Sequence, residues 1–66
     1  MTGEEIRNAR KQLGLTQAEF AVVMGLPGNT YVSNLEAERE RLSKPAQILL
    51  SIYLDGYRPT DWPEGK

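Results

Sequence analysis

The chain has 66 residues, a formal net charge of −1, and neither cysteine nor histidine. This length fits one domain, and the missing residue types remove disulfides, thiolate metal sites and the commonest general base. No apolar run approaches the roughly 20 residues of a membrane span, and the N-terminus is acidic rather than signal-like. We therefore expect a cytoplasmic protein with no membrane partner, no metal site and no cofactor.

The first predicted helix runs from about Gly3 to Leu13. Thr2 and Glu5 have the spacing of a capping box, in which each side chain bonds to the other residue's backbone N–H. Apolar residues then follow at helical spacing. Gly14 comes directly after the last of them and is a typical C-terminal stop.

The second predicted helix begins with another capping box, formed by Thr16 and Glu19. Leu15 precedes the cap and can pack against Phe20 as a hydrophobic staple. Gly25 ends the helix. The two helices are therefore joined by a very short turn.

A third short helix is predicted after the strong turn signal of Pro27 and Gly28. Either Asn29 or Thr30 can cap it, and it runs to about Ala37. Residues spaced by three and four positions share one face of a helix. The small, mostly polar face consists of Thr30, Ser33, Asn34 and Ala37.

The fourth predicted helix is capped by Ser43 or Lys44 and runs to Asp55. Pro45 lies in its first turn, where the missing N–H costs nothing. Gly56 follows as a stop signal. We found no internal repeat and no alternating pattern of strand length.

The domain is expected to be all-α, with residues 1–56 forming four helices and the Pro-rich, aromatic residues 57–66 forming an ordered arm. The fourth helix carries more apolar residues than one narrow core stripe requires. We predict that this surplus and the arm form a homodimer interface, the alternative being that the arm folds back over its own core. The predicted interface residues are Leu50, Tyr53, Leu54, Tyr57 and Trp62.

Roughly residues 4 to 55 resemble the Cro- and Xre-type phage-repressor family, whose members carry a helix-turn-helix. The resemblance implies a compact four-helix, repressor-like fold that binds double-stranded DNA. The turn of this chain is one residue longer than usual, and its third helix lacks the arginine or glutamine that often contacts bases. The matching residues are Arg10, Gly14, Leu15, Thr16, Gln17, Glu19, Phe20, Ala21, Gly25, Leu26, Val32, Ser33, Leu35 and Glu36.

The resemblance also implies residue roles. Arg10 and Glu36 correspond to an inward structural ion pair. The positions that contact base edges in the major groove are Asn29, Thr30, Tyr31, Ser33 and Asn34. Each has a purely structural alternative: the first two as helix caps, the tyrosine packed on the second helix, and the last two as a solvated face.

Phosphate contacts are implied for Gln17, at the start of the second helix, and for basic residues after the third helix. These basic residues are Arg39, Arg41 and Lys44. The arginines alternate with Glu38 and Glu40, so an ordinary solvated charge run is the alternative reading.

The sequence therefore predicts a sequence-specific DNA-binding transcriptional regulator, a repressor or autoregulator without a small-molecule effector. We expect a homodimer on an inverted repeat, because two half-sites about 34 Å apart combine two weak contacts. The alternative is a protein-interaction module, such as an antitoxin or phage accessory factor, that uses the fourth helix and the tail. A sequence pI near 5.3 favours that alternative. No catalytic constellation is present, so we do not expect an enzyme.

Overall fold

The computed structural model describes residues 1–63, and Glu64 with the rest of the predicted arm (residues 65–66) lies outside this part. The described residues contain four helices and no strand: α1 (Gly3–Gln12), α2 (Gln17–Met24), α3 (Asn29–Glu36) and α4 (Lys44–Leu54). The all-α fold is confirmed. Three helices end one residue earlier than predicted, because Leu13, Ala37 and Asp55 are C-caps.

Both predicted capping boxes form. The Thr2 hydroxyl accepts from the Glu5 N–H at 3.1 Å, and the Glu5 carboxylate accepts from the Thr2 N–H at 2.8 Å. Thr16 and Glu19 repeat this arrangement at 3.1 and 2.9 Å. The hydroxyl of Ser43 caps α4. These bonds satisfy N–H groups that have no partner inside their own helices.

Glycines end α1 and α2 as predicted. Gly14 and Gly25 have φ angles of 75° and 71°, a left-handed conformation that costs other residues roughly 1–2 kcal/mol. The next leucine then donates its N–H back into the helix, with Leu15 bonding to the Arg10 carbonyl at 3.2 Å and Leu26 to that of Ala21 at 2.8 Å. These reversals direct α2 and α3 back over the core.

The core lies between the four helices. Its largest fully buried side chains are Phe20, Ile6, Leu35, Leu50 and Val32. Leu42 is also buried, although the sequence predicted only a charged connection between α3 and α4. The connection is therefore anchored to the core just before α4 begins.

The arm folds back over its own core. Trp62 is only 8 % exposed, and its ring meets that of Tyr53 edge-on with the centroids 5.1 Å apart. The Arg58 guanidinium lies 4.5 Å from the centre of the Trp62 ring and donates to the Tyr53 carbonyl at 2.7 Å. The alternative left open by the sequence is therefore the one observed.

This packing corrects the predicted dimer interface. Leu50, Tyr53 and Trp62 are 0 %, 5 % and 8 % exposed within their own chain, so they offer almost no surface to a second copy. The prediction rested on the large number of apolar residues in α4. The arm covers some of these residues within the same chain. Of the five predicted residues, only Leu54, which is half-buried, and Tyr57, which is exposed, retain accessible surface.

Tyr53 also connects α4 to the end of α2. Its hydroxyl donates to the Val23 carbonyl at 2.8 Å, and this carbonyl lies in the last turn of α2, where it lacks a helical partner. Burial raises the pKa of Tyr53 above its ordinary value of 10.0, with smaller contributions from the nearby Asp61 charge and from Tyr57. The structure therefore favours the neutral phenol, which can donate this bond.

Replacing Tyr53 with phenylalanine should lower the free energy of unfolding by about 1–3 kcal/mol at neutral pH, because the Val23 carbonyl loses its donor. Since folding raises the phenol's pKa, its contribution is complete below pH 10.0 and is lost as the pH rises through the folded-state value. Urea unfolding across this range should show a shallower alkaline loss for Tyr53→Phe than for the wild type.

The matched control is Tyr57→Phe, which changes an exposed ring that stacks on Tyr53 at a centroid distance of 6.4 Å. It should keep most of the wild-type pH dependence. Parallel alkaline curves for the wild type and Tyr53→Phe would contradict the assignment.

Candidate nucleic-acid interface

One carboxylate joins the first three helices. Arg10 Nε donates to Glu36 Oε2 at 2.7 Å, and Gln17 Nε2 donates to Glu36 Oε1 at 3.2 Å. Arg10 Nη1 also donates to the Leu15 carbonyl in the turn between α1 and α2, at 3.0 Å. We call Arg10, Gln17 and Glu36 the Glu36 cluster. The side chains of Arg10 and Glu36 are only 12 % and 11 % exposed, so water screens this ion pair weakly.

Gln17 occupies the first position of α2, where the resemblance implied a phosphate contact. The structure places its side-chain amide on Glu36 and leaves the residue half-buried. An amide nitrogen carries two hydrogens, so the bond to Glu36 leaves one donor at the positive end of α2. The contact between Gln17 and a phosphate therefore remains a prediction.

The helix α3 presents its predicted polar face to solvent. Val32 and Leu35 hold its other side in the core, at 0 % and 1 % exposure. The exposed residues are Asn29, Thr30, Ser33 and Ala37. Asn34 is half-buried, and Tyr31 is half-buried against the core. The packing of Tyr31 favours its structural role over a base contact.

The start of α3 differs from the prediction. Neither Asn29 nor Thr30 is the N-cap: Gly28 occupies that position, and no side chain caps the helix. Asn29 is already the first residue of α3, so only residues 26–28 follow the C-cap Gly25, and the extra turn residue that the sequence predicted at Asn29 belongs to the helix. Asn29 and Thr30 are therefore in the first turn of α3, with their side chains not used as caps. The first N–H groups of this helix lack a side-chain acceptor, unlike those of the other three helices.

The other end of α3 is held against the start of α1. Glu38 has a φ of 64°, and its carboxylate accepts from the Gly3 N–H at 3.1 Å. A Cβ atom on Gly3 would overlap the Glu36 carbonyl, which shows how closely the two helix ends approach. We call this contact of Gly3 with Glu36 and Glu38 the α1–α3 junction. Sequence patterns gave no signal for it, because it joins distant residues.

The basic segment after the α1–α3 junction is accessible. Arg39, Arg41 and Lys44 are all exposed. Within residues 1–63 the one ion pair formed is that of Arg10 and Glu36, so none of these three side chains is held by a carboxylate. They remain predicted phosphate contacts beside the face of α3.

Residues 1–63 contain no group of three or more histidine, cysteine, aspartate or glutamate side chains that could hold a metal ion. No helix in the same range is long and apolar enough to cross a membrane. The candidate site consists of the exposed outer face of α3 and the exposed basic residues that follow it in the chain.

The comparisons with known proteins agree with this architecture. The model of the antitoxin Xre-like helix-turn-helix domain matches residues 4–53, and the chain belongs to that family. The comparisons with curated proteins and with solved structures gave no significant match. The chain thus carries a helix-turn-helix of a family of DNA-binding regulators and antitoxins, with α2 and α3 as the two helices of the motif.

The α1–α3 junction can be tested by adding one methyl group. Gly3→Ala should lower the free energy of unfolding by about 1–3 kcal/mol, because the new Cβ collides with the carbonyl of Glu36 and overpacks the contact. Urea unfolding measures this difference.

Gly28→Ala is the matched control, since it adds the same methyl group before another helix. Gly28 has extended backbone with a φ of 169°, and nothing lies within 4 Å of the added Cβ. This variant should be unchanged or stabilised by about 0.4–1 kcal/mol. Equal effects of the two substitutions would contradict the close approach at Gly3.

Proposed function

We propose that this protein is a sequence-specific DNA-binding transcriptional regulator, acting as a repressor that places α3 in the major groove. The observation that carries the proposal is the exposed, small polar face of α3 within a helix-turn-helix. Short side chains allow a helix to approach the groove floor, and the major groove is the one that distinguishes all base pairs.

In this proposal α3 provides specificity. Asn34 bonds to an adenine through N6 and N7, and Asn29, Thr30 and Ser33 contact neighbouring base edges. The methyl groups of Thr30 and Ala37 are suited to a thymine methyl. Tyr31, half-buried against the core, contributes a contact to the sugar–phosphate backbone at most.

Phosphate contacts provide the remaining affinity. The exposed Arg39, Arg41 and Lys44 follow α3 directly, and Gln17 adds a donor at the start of α2. The chain's net charge of −1 limits long-range attraction to DNA, so affinity depends on these local groups. Two weakly binding copies on an inverted repeat compensate for this, which is why we propose a homodimer.

An antitoxin role is the second candidate, and the family's description favours it. In that role the domain also binds a protein partner, and α4 and the tail, together with other exposed apolar side chains, are the surface to test. Val22, at 70 % exposure, is the most exposed of the large apolar residues in the described part of the chain.

The decisive experiment for DNA binding is selection of bound duplexes from a random pool, followed by a salt titration of the selected site. We expect log K to fall steeply with log[salt], with a slope of about −0.9 for each phosphate contact. Asn34→Ala should lose preference at one base position, costing about 1–3 kcal/mol in discrimination, with little change in salt slope.

The matched control is Asn8→Ala, which removes the same side chain from an exposed position on α1. It should leave base preference unchanged. Absent or salt-independent binding by the wild type would overturn the DNA-binding proposal and leave the protein-partner role. Unchanged preference in Asn34→Ala would overturn only the assignment of Asn34.

A further inference from the structure

The helix α4 has an apolar strip on the side turned away from the core. Leu50 and Tyr53 bury its inner side, whereas Ile48 and Ile52 are 52 % and 43 % exposed. These two isoleucines are four residues apart, so they lie side by side on the helix surface. Branched apolar side chains exposed as a pair are a candidate contact surface.

Opposite charges stand at the two ends of the same strip. Lys44 is the first residue of α4, and Asp55 is its C-cap. Together with Ile48 and Ile52 they follow the i, i+4, i+8 and i+11 positions of one helix face, and all four are exposed. Along α4 this face therefore carries a positive residue, two apolar residues and a negative residue, in that order. We call these residues the α4 strip.

Both charges have the wrong sign for their own helix. The start of a helix is positive and its end is negative, so a lysine at the first position and an aspartate at the end are unfavourable. The helix α1 shows the favourable order, with Glu4 and Glu5 in its first turn and Arg10 and Lys11 in its last. In the described residues neither Lys44 nor Asp55 has an ion-pair partner that would compensate for this.

We propose that the α4 strip packs against the α4 strip of a second copy, antiparallel to it across a two-fold axis. In that arrangement Ile48 of each copy lies beside Ile52 of the other, and Lys44 faces the partner's Asp55. The strip is nearly complementary to itself, because Lys44 lies four residues before Ile48 and Asp55 three residues after Ile52, which places each charge close to its opposite across a two-fold axis. The charges that are unfavourable in the single chain then have oppositely charged neighbours.

This inference rests on the homodimer of the proposed function and gives it a specific surface. The proposed interface uses the exposed Ile48 and Ile52 in place of Leu50, Tyr53 and Trp62, which are buried within their own chain. In this dimer Lys44 contacts the partner chain instead of a DNA phosphate. Arg39 and Arg41 then remain as the proposed phosphate contacts after α3. Because the strip is short, we expect a micromolar dimer.

A charge swap tests the proposal by sedimentation of the full chain without DNA. The wild type should dimerise at micromolar concentrations. Lys44→Asp and Asp55→Lys should each weaken the dimer by about tenfold or more, because each places like charges together at two symmetric sites. The double variant Lys44→Asp/Asp55→Lys should recover an affinity within about threefold of the wild type, since it restores both opposite-charge contacts.

The apolar centre is tested with Ile48→Lys, and Val22→Lys is its matched control on another exposed apolar residue. The first should abolish dimerisation and the second should leave it unchanged.

A wild type that stays monomeric, a double variant as weak as the single variants, or equal effects of Ile48→Lys and Val22→Lys would overturn the proposal. These measurements omit DNA, so they test the interface separately from DNA binding. A monomer that binds DNA with a steep salt dependence would refute the interface alone. A dimer that does not bind DNA would refute the DNA-binding role alone.

Discussion

The carboxylate of Glu36 is the constraint on which the arrangement of the helix-turn-helix depends. It accepts hydrogen bonds from Arg10 on α1 and Gln17 on α2 while its own backbone ends α3. Three helices therefore meet at one charged group whose side chain is only 11 % exposed. A weakly hydrated carboxylate is stable only when its hydrogen bonds are made. A displacement of α3 that breaks these bonds therefore leaves the charge without its partners.

The two ends of α3 are held very differently. Its C-terminal end is fixed by the Glu36 cluster and by the contact of Glu38 with the Gly3 N–H. Its N-terminal end has no side-chain cap and follows a glycine in extended backbone. A firmly positioned helix with an open, polar start is well suited to placing short side chains against an external surface. The geometry thus links scaffold residues to the proposed DNA-reading face.

Local signals accounted for most of the fold. Thr2 and Thr16 act through bonds to residues three positions away, and Gly14 and Gly25 act through their own backbone, so a single sequence shows their roles directly. The pairing of Arg10 with Glu36 was reached through resemblance, since spacing alone cannot pair residues on different helices, and the bond of Gln17 to Glu36 was not predicted. The four helices and the exposed face of α3 were therefore predictable.

The remaining features depend on which segments meet in space. Leu42 lies in a charged stretch, and its burial follows from the path of the chain into α4. Trp62 covers its own core rather than a partner because the Arg58 contacts turn the arm back. The α1–α3 junction requires Gly3 and Glu38 to meet across the fold. The cap at Gly28 was missed because asparagine and threonine are stronger capping residues by preference.

A double-mutant cycle between Arg10 and Glu36 tests the central claim most directly. Unfolding free energies of Arg10→Met, Glu36→Gln and the double variant can be measured in urea with a stabilising osmolyte, which keeps the weak variants folded. Each single variant should lose about 1.5–3 kcal/mol, and the double should lose at least about 1 kcal/mol less than the sum, because each single change leaves a weakly hydrated charge without its partner. Additive losses within about 0.5 kcal/mol would contradict the claim that this ion pair holds the helix-turn-helix together.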